Sequence, residues 1–153
     1  MARRRIWVST EAAAPTGRVW DLLTDWDRHD EWMIATTATG GTGTGARVEA
    51  RTALGPLGFT DTMVITGWHP PRNGRDGRCV VRHTGALIKG VGRFEVRGLD
   101  SGVTRVTWTE DINLPLRLLG EIGWVAVEPA ARALLRVSLW RLSRLAASEL
   151  ATA

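Results

Sequence analysis

The chain has 153 residues, of which 44% are apolar and 24% are charged, and these fractions are typical of a globular domain. They exclude intrinsic disorder and collagen-like repeats, and the length predicts a single domain over residues 1–153. The net charge is only +4 and the arginines are spread along the chain, so we expect no nucleic-acid partner.

Three further features of the sequence restrict the chemistry. Cys79 is the single cysteine, which excludes an intramolecular disulfide and a multi-cysteine zinc site and fits a reducing, cytoplasmic environment. The chain has eight tryptophans but no tyrosine, so no mechanism here can use a phenolic proton donor. The segment after the basic Met1–Arg5 is too short and too polar for a signal peptide, and we expect no stable membrane insertion.

The N-terminal part is predicted to form a strand followed by two short helices. Alternating side chains indicate a strand over Arg5–Glu11, and Pro15 suits the first turn of a helix. The apolar positions that follow at helical spacing are Val19, Leu22, Leu23 and Trp26. A second short helix is expected to end near Met33, and a weak strand is expected around Ile34–Thr39.

The middle of the chain has the pattern of successive strands separated by turn residues. The predicted strands are Ala46–Leu54, Gly58–Trp68, Arg78–Gly85, Gly90–Leu99 and Val103–Asn113. Because the connections are short, neighbouring strands are expected to be antiparallel, as in a meander.

The C-terminal part, Leu114–Leu150, has the pattern of a helix with a break at Pro129, because proline loses a backbone hydrogen bond and clashes with the preceding turn. One segment is expected to end near Glu128 and a longer one to start there. The apolar arc of the longer segment contains Ala131, Leu134, Leu135, Ser138, Leu142, Leu145 and Ala146. Only this helix is long enough to cover the sheet, so we predict an α+β fold with a pocket between the two.

Several motifs, taken in their order and spacing, resemble those of the START-like or Bet v 1-like superfamily, also called SRPBCC. They are Val19–Trp26, Glu31–Met33, Gly45–Val48, Leu54–Phe59, Trp68–Pro71, Phe94–Val96 and Trp108–Asp111. The superfamily includes lipid-transport domains and the polyketide cyclase/dehydrase family. The resemblance implies a helix-grip fold, with two short helices after the first strand and a curved seven-stranded antiparallel sheet wrapped around a long C-terminal helix.

The resemblance also implies a function class. It predicts a hydrophobic cavity that binds a small apolar molecule, aromatic or polyketide-like, without a cofactor. Activities in the superfamily range from carriers to cyclases and partner-binding modules, so the fold alone leaves the function open. We carry three hypotheses: cyclase/dehydratase chemistry, a non-catalytic carrier or sensor of a lipid or other small molecule, and a module that binds a partner protein. A homodimer is also left open.

Asp61 is the first candidate for proton transfer. In the strand Gly58–Trp68 it shares a face with Phe59, Met63 and Ile65, which predicts that it points inward. A carboxyl group in such a poorly solvated place can act as a general acid or base near neutral pH. The alternatives are an outward-facing strand or a structural pair with an arginine.

His83 and Glu110 are the other two candidate catalytic residues. Alternation places His83 on the same face as Cys79 and Val81, and places Glu110 on the apolar face of the last strand. His83 is therefore expected to meet Glu110 or Asp61 across neighbouring strands. A histidine oriented by a carboxylate can transfer protons, and the alternative is an ion pair that holds the cavity wall in register.

Twelve residues are expected to bind the ligand. They are Trp32, Met33, Phe59, Met63, Ile65, Trp68, Val81, Arg82, Trp108, Trp124, Leu134 and Ser138. In this set Arg82 corresponds to the pocket arginine that the resemblance to aromatase/cyclases implies, although alternation puts it on the face opposite His83. Tryptophan offers a large apolar face and one N–H donor to an aromatic ligand.

Metal and covalent chemistry are not favoured. His29 and His69 lie in polar, loop-like contexts, and the sequence contains no HxH, HxxxH or HExxH spacing, so no metal site is predicted. The glycine-rich Gly40–Gly45 lacks a phosphate-binding pattern and is interpreted as a strand connection. Cys79 lies between strand residues and is expected to be a buried, inert thiol.

Overall fold

The structure is a computed structural model that describes residues 3–113 and 116–152 and, apart from 101 and 116–122, their side chains. Seven antiparallel strands form one sheet in the order β1-β7-β6-β5-β4-β3-β2. The strands are β1 (Arg3–Ala12), β2 (Thr36–Gly40), β3 (Arg47–Leu54), β4 (Leu57–His69), β5 (Gly77–His83), β6 (Lys89–Gly98) and β7 (Thr104–Asn113).

Two helices and two 3-10 helices complete the described part of the chain. Helix α1 (Thr16–Thr24) and a 3-10 helix over Trp26–Glu31 follow β1, and a short 3-10 turn over Asp100–Gly102 joins β6 to β7. Helix α2 (Leu116–Ala151) is 36 residues long and packs against β1 and α1. The predicted helix-grip fold is therefore confirmed, including the weak strand, which is β2.

The alternation of side chains explains which face of the sheet is covered. In β1, Ile6 and Val8 are buried whereas Trp7 is 56% exposed, and β5 alternates in the same way. The inner face meets α1, the 3-10 helix and α2, and its aromatic side chains pack edge to face. Trp20 of α1 lies 5.1 Å from Trp68, centroid to centroid, at one end of this face.

The expected break at Pro129 is wrong. Helix α2 runs without interruption from Leu116 to Ala151 with Pro129 inside it, and Leu114 lies outside the described residues. Proline leaves the carbonyl four residues earlier, that of Val125, without its helical donor. Because Val125 is 73% exposed, this carbonyl lies on the solvent side of the helix, where water can satisfy it.

Ion pairs fix the C-terminal end of α2 on the helices that follow β1. Glu149 of α2 accepts hydrogen bonds from Arg18 of α1 and from Arg28 of the 3-10 helix, and Arg28 also pairs with Glu31. The pair with these carboxylates raises the pKa of the Arg28 guanidinium, so this contact is ionic throughout the physiological range. Within the described residues, no helix is both long enough and apolar enough to cross a membrane.

Candidate active site

An apolar cavity of about 220 Å³ lies between the inner face of the sheet and α2. Its wall takes residues from every strand, from the 3-10 helix and from α2. They are Ile6, Trp26, His29, Met33, Thr36, Ala38, Val48, Ala50, Thr52, Phe59, Asp61, Met63, Cys79, Val81, His83, Ile88, Gly92, Arg93, Phe94, Trp108, Glu110, Ile112, Ala131, Leu134 and Leu135. Three ionisable side chains, those of Asp61, His83 and Glu110, lie together in one part of this wall.

That part is a hydrogen-bonded cluster of Asp61, His83, Glu110 and Trp108, here called the inner cluster. The two imidazole nitrogens of His83 are both occupied: Nδ1 lies 2.6 Å from Asp61 Oδ2 and Nε2 lies 2.9 Å from Glu110 Oε2. The indole N–H of Trp108 donates to Glu110 Oε1 at 2.6 Å. The cluster therefore joins β4, β5 and β7 through side chains on the inner face.

Gly92 in β6 makes the approach of His83 and Glu110 possible. β6 lies between β5 and β7, and its residue Gly92 is paired with Val81 on one side and Glu110 on the other. A Cβ atom at Gly92 would lie 2.9 Å from Glu110 Oε1 and 3.1 Å from a methyl group of Val81. Because Gly92 has no side chain, Glu110 can reach over β6 to the imidazole of His83 two strands away.

The inner cluster holds His83 in its charged form. Burial alone lowers the pKa of an imidazole, but the hydrogen bonds to Asp61 and Glu110 and the charges of these carboxylates outweigh it and raise the pKa of His83 to about 10. At neutral pH both ring nitrogens therefore carry protons, and each N–H donates to a carboxylate. The result is a buried imidazolium between two acids.

The interpretation of His29 as a loop residue is wrong. His29 is 3% exposed, lines the cavity, and packs edge to face against Trp26 and Trp32. Its Nε2–H donates to the Leu23 carbonyl at 2.9 Å, which fixes the neutral tautomer, and burial lowers the pKa of His29 to about 4. The acidic neighbours in sequence hid this residue, because a 3-10 helix turns its ring inward.

Half of the predicted ligand-binding residues lie in the cavity wall together with Asp61, His83 and Glu110. These six are Met33, Phe59, Met63, Val81, Trp108 and Leu134. Sequence reasoning missed most of the remaining wall, including Phe94, whose ring centroid lies 4.9 Å from that of Trp108. Alternation in β6 places Phe94 on the inner face, so a signal for it was present in the sequence.

The prediction that Arg82 is a pocket arginine is wrong. Arg82 is exposed on the outer face of β5, because residues next to an inward His83 must point the other way. Arg93 contributes to the cavity wall, but its guanidinium is bound to Asp111 on the other face of the sheet. Among the described residues, no arginine side chain serves as a pocket cation of the expected kind.

Of the other five predicted residues, four are buried and Trp68 is partly buried, and none of the five lies in the cavity wall. Trp32 is fully buried behind it, and Ile65 is core. The remaining three are Trp68, which packs on Trp20, Trp124, which stacks under Arg4, and Ser138, whose hydroxyl accepts a hydrogen bond from Ile34 N–H at 3.3 Å. Their predicted roles in ligand contact therefore stay predictions, and in this structure each has a packing role.

The described residues do not provide a metal site. In this part of the chain no three His, Cys, Asp or Glu side chains are arranged to hold a metal ion. Cys79 lines the cavity, and burial raises the pKa of its thiol to about 12, so at neutral pH it is a weakly polar, unreactive group.

A curved antiparallel sheet closed by a long helix around an apolar cavity defines a START-like, helix-grip protein. The chain belongs to the family described as polyketide cyclase/dehydrase and lipid transport, whose model matches residues 3–147. The description of this family connects the fold with hydrophobic small molecules. Comparison with curated protein sequences finds no match.

Solved structures share the fold at low sequence identity. A protein from Thermus thermophilus has a TM-score of 0.74 and 16% identity, with 92% of this chain and 95% of that chain covered. The Zhui aromatase/cyclase from a Streptomyces species has a TM-score of 0.60 and 21% identity over 93% and 87%. A START superfamily protein from Mycobacterium smegmatis has a TM-score of 0.67 and 12% identity over 97% and 99%. At these identities the likeness establishes the fold.

Proposed function

We propose that this protein binds a small, ring-containing apolar molecule, aromatic or polyketide-like, in the cavity between the sheet and α2. The observation that carries this proposal is an apolar cavity with one buried, hydrogen-bonded polar cluster in its wall. Ligand sites are usually mostly apolar, with a few polar groups that fix the orientation of the ligand. The inner cluster is such a polar group in an otherwise apolar wall.

The size and the lining of the cavity favour a compact ligand. Its volume of about 220 Å³ lies below the range of roughly 300–1,000 Å³ that is common for pockets of drug-sized ligands. One or two fused rings are therefore a better match than a long-chain lipid. Trp26, Phe94 and Trp108 offer aromatic surfaces against which such rings can stack.

A pair of alanines on α2 allows a matched test of this proposal. Ala131 lines the cavity, whereas Ala133, two residues later, is exposed on the opposite side of the helix. The substitution Ala131→Phe should fill the cavity and abolish binding of 2-naphthol measured by calorimetry. Ala133→Phe adds the same side chain outside and should leave binding unchanged. Equal binding by both variants would exclude the cavity as the site.

Proton-transfer chemistry of the cyclase/dehydratase type is a second candidate. The observation that favours it is a charged imidazole held between two carboxylates in the wall of the binding cavity. In this role Glu110 accepts a proton from the ligand while His83, hydrogen-bonded to it, offsets the change of charge. Glu110→Gln and His83→Gln should then each abolish dehydration of a cyclic β-hydroxyketone, a substrate with the ring size and the hydroxyl donor that the cavity takes. Turnover equal to that of the parent protein in both variants would leave the non-catalytic carrier or sensor as the function.

A further inference from the structure

The inner cluster has used all of its hydrogen-bond donors. A protonated imidazole has two N–H groups and an indole has one, and all three are directed at carboxylate oxygens in this cluster. An ionised carboxylate has only acceptor sites, about four for each group, so Asp61 and Glu110 together retain unused lone pairs. In particular, Asp61 Oδ1 is buried and has no hydrogen-bond partner among the described residues.

Glu110 is the member of the cluster that a ligand can reach most easily. Its side chain is 15% exposed, compared with 8% for Asp61 and 6% for His83. Asp61 Oδ1 packs against Gly85, where a Cβ atom would lie 2.9 Å away, and is therefore shielded. A polar group of a bound molecule would thus meet the carboxylate of Glu110 first.

The charge of the cavity wall also favours a ligand that donates hydrogen bonds over an anionic one. Two carboxylates and one imidazolium give the inner cluster a net charge of −1. Arg93 is the single arginine or lysine in the described wall, and its guanidinium is committed to Asp111 at 3.0 Å. A second negative charge brought into this apolar cavity would be repelled and would lack a cation to bind it.

From this count we infer that the cavity selects neutral or cationic ring compounds that carry a hydrogen-bond donor, a hydroxyl or an amine, which binds the carboxylate of Glu110. Donor-free carbonyl compounds and carboxylic acids are discriminated against. This inference rests on the proposed binding function and specifies the ligand class. It also means that a ligand carbonyl is not activated by the cluster as it stands, because no donor in it is free.

The test compares three probes with the same ring system in calorimetric titrations at pH 7: 2-naphthol, 2-naphthaldehyde and 2-naphthoate. We expect 2-naphthol to bind about tenfold more tightly than 2-naphthaldehyde, the difference that a hydrogen bond to a charged group makes. The anion 2-naphthoate should bind more weakly still. Measurable binding of all three with equal affinity, or tighter binding of the aldehyde or the anion, would overturn the inference while leaving the binding function in place.

Variants identify the carboxylate concerned. Glu110→Gln replaces one acceptor oxygen by an NH₂ donor, so the preference for naphthol over naphthaldehyde should fall to about onefold or reverse. Glu95→Gln on the exposed outer side of β6 is the matched control and should keep the tenfold preference. An unchanged preference in Glu110→Gln would overturn the assignment. If Glu110→Gln does not fold, the ranking of the three probes by the parent protein decides whether the inference stands. In that case Asp61→Asn, which changes the shielded carboxylate, should keep the preference for naphthol if Glu110 is the group that binds the donor. Failure of all three probes to bind the parent protein would instead remove the binding function itself.

Discussion

Glu110 and Asp111 are neighbours in β7, yet they belong to two buried charge clusters on opposite faces of the sheet. Glu110 points inward, where two acids share one histidine. Asp111 points to the outer face and is 3% exposed, and it pairs with Arg5 at 2.7 Å, Arg93 at 3.0 Å and Arg3 at 3.5 Å. One site has more acids than cations, and the other has more cations than acids.

The comparison shows that a buried ion pair is not itself a sign of function. The arginines around Asp111 come from β1 and β6, so this outer cluster ties together the three strands β1, β7 and β6. Its cations keep the pKa of Asp111 below its usual range, first through the hydrogen bond from Arg5. The inner cluster differs in having an acceptor surplus at the wall of a cavity, and that surplus is what a ligand can use.

The largest expected effect comes from removing the central group of each cluster. His83→Leu leaves two carboxylates facing each other in a buried place, and we expect it to lower the free energy of unfolding by about 3–5 kcal/mol. Asp111→Asn should cost only about 1 kcal/mol, because the side chains of Arg3 and Arg5 are 66% and 59% exposed and can be hydrated. Urea unfolding monitored by tryptophan fluorescence measures both. Equal costs would mean that the two clusters are energetically alike.

A smaller effect is expected from a methyl group placed between the members of the inner cluster. Gly92→Ala forces Glu110 or Val81 to move, since the new Cβ would lie about 3 Å from both, and overpacking of this kind costs about 1–3 kcal/mol. The same substitution at Gly17 in α1 meets nothing within 4 Å and should stabilise by up to about 1 kcal/mol. Thermal unfolding of the Gly92→Ala and Gly17→Ala variants measures both effects, and the two should have opposite signs. A Gly92→Ala protein as stable as the parent would show that Glu110 does not need this space.

The smallest change expected for a single step of the experiment is the dependence of stability on pH, taken per pH unit. The pKa of His83 is about 10 in the folded protein and 6.5 in its ordinary state, so its stabilisation is complete below pH 6.5 and is lost as the pH rises through 10. The slope of the unfolding free energy should reach at most about 1.4 kcal/mol per pH unit.

The control for this measurement is His83→Gln, which should have a flatter profile between pH 7 and 8.5. Above that range Cys79 also contributes, because burial raises the pKa of its thiol and the folded state retains a proton that the unfolded chain has lost. Identical slopes for the parent protein and the variant between pH 7 and 8.5 would mean that the two carboxylates do not raise the pKa of His83 in the folded protein.

The sequence allowed the catalytic candidates to be placed, because strand alternation has a period of two and tolerates little ambiguity. Alternation places Asp61, His83 and Glu110 on inward faces together with apolar neighbours, and the structure brings the three side chains into contact. What alternation could not predict was that His83 contacts both acids at once. That contact depends on the registers of β4, β5, β6 and β7 and on the missing side chain of Gly92.

The tryptophans show why the rest of the site could not be predicted. An inward tryptophan can fill the core or line the cavity, depending on its position along the strand direction relative to the cavity. The sequence does not give that position. Trp68 lies on the inner face beyond a bulge between Ile65 and Gly67 and packs under α1, whereas Trp108 reaches the cavity. The continuity of α2 across Pro129 cannot be predicted for a similar reason, because it depends on the Val125 carbonyl facing solvent, which is a property of the fold.

The order of the strands has a consequence for how the inner cluster is assembled. His83 is separated from Asp61 by 22 residues and from Glu110 by 27, so no single hairpin contains all three. Contacts of this range form only after several strands have docked, and the contact with Glu110 requires β7 to be in place. At pH 8 the unfolded histidine is neutral and the folded one is charged, so the chain takes up a proton from solvent as it folds. A pH indicator in a stopped-flow refolding experiment at pH 8 should therefore report the assembly of the inner cluster as an uptake of about one proton per molecule.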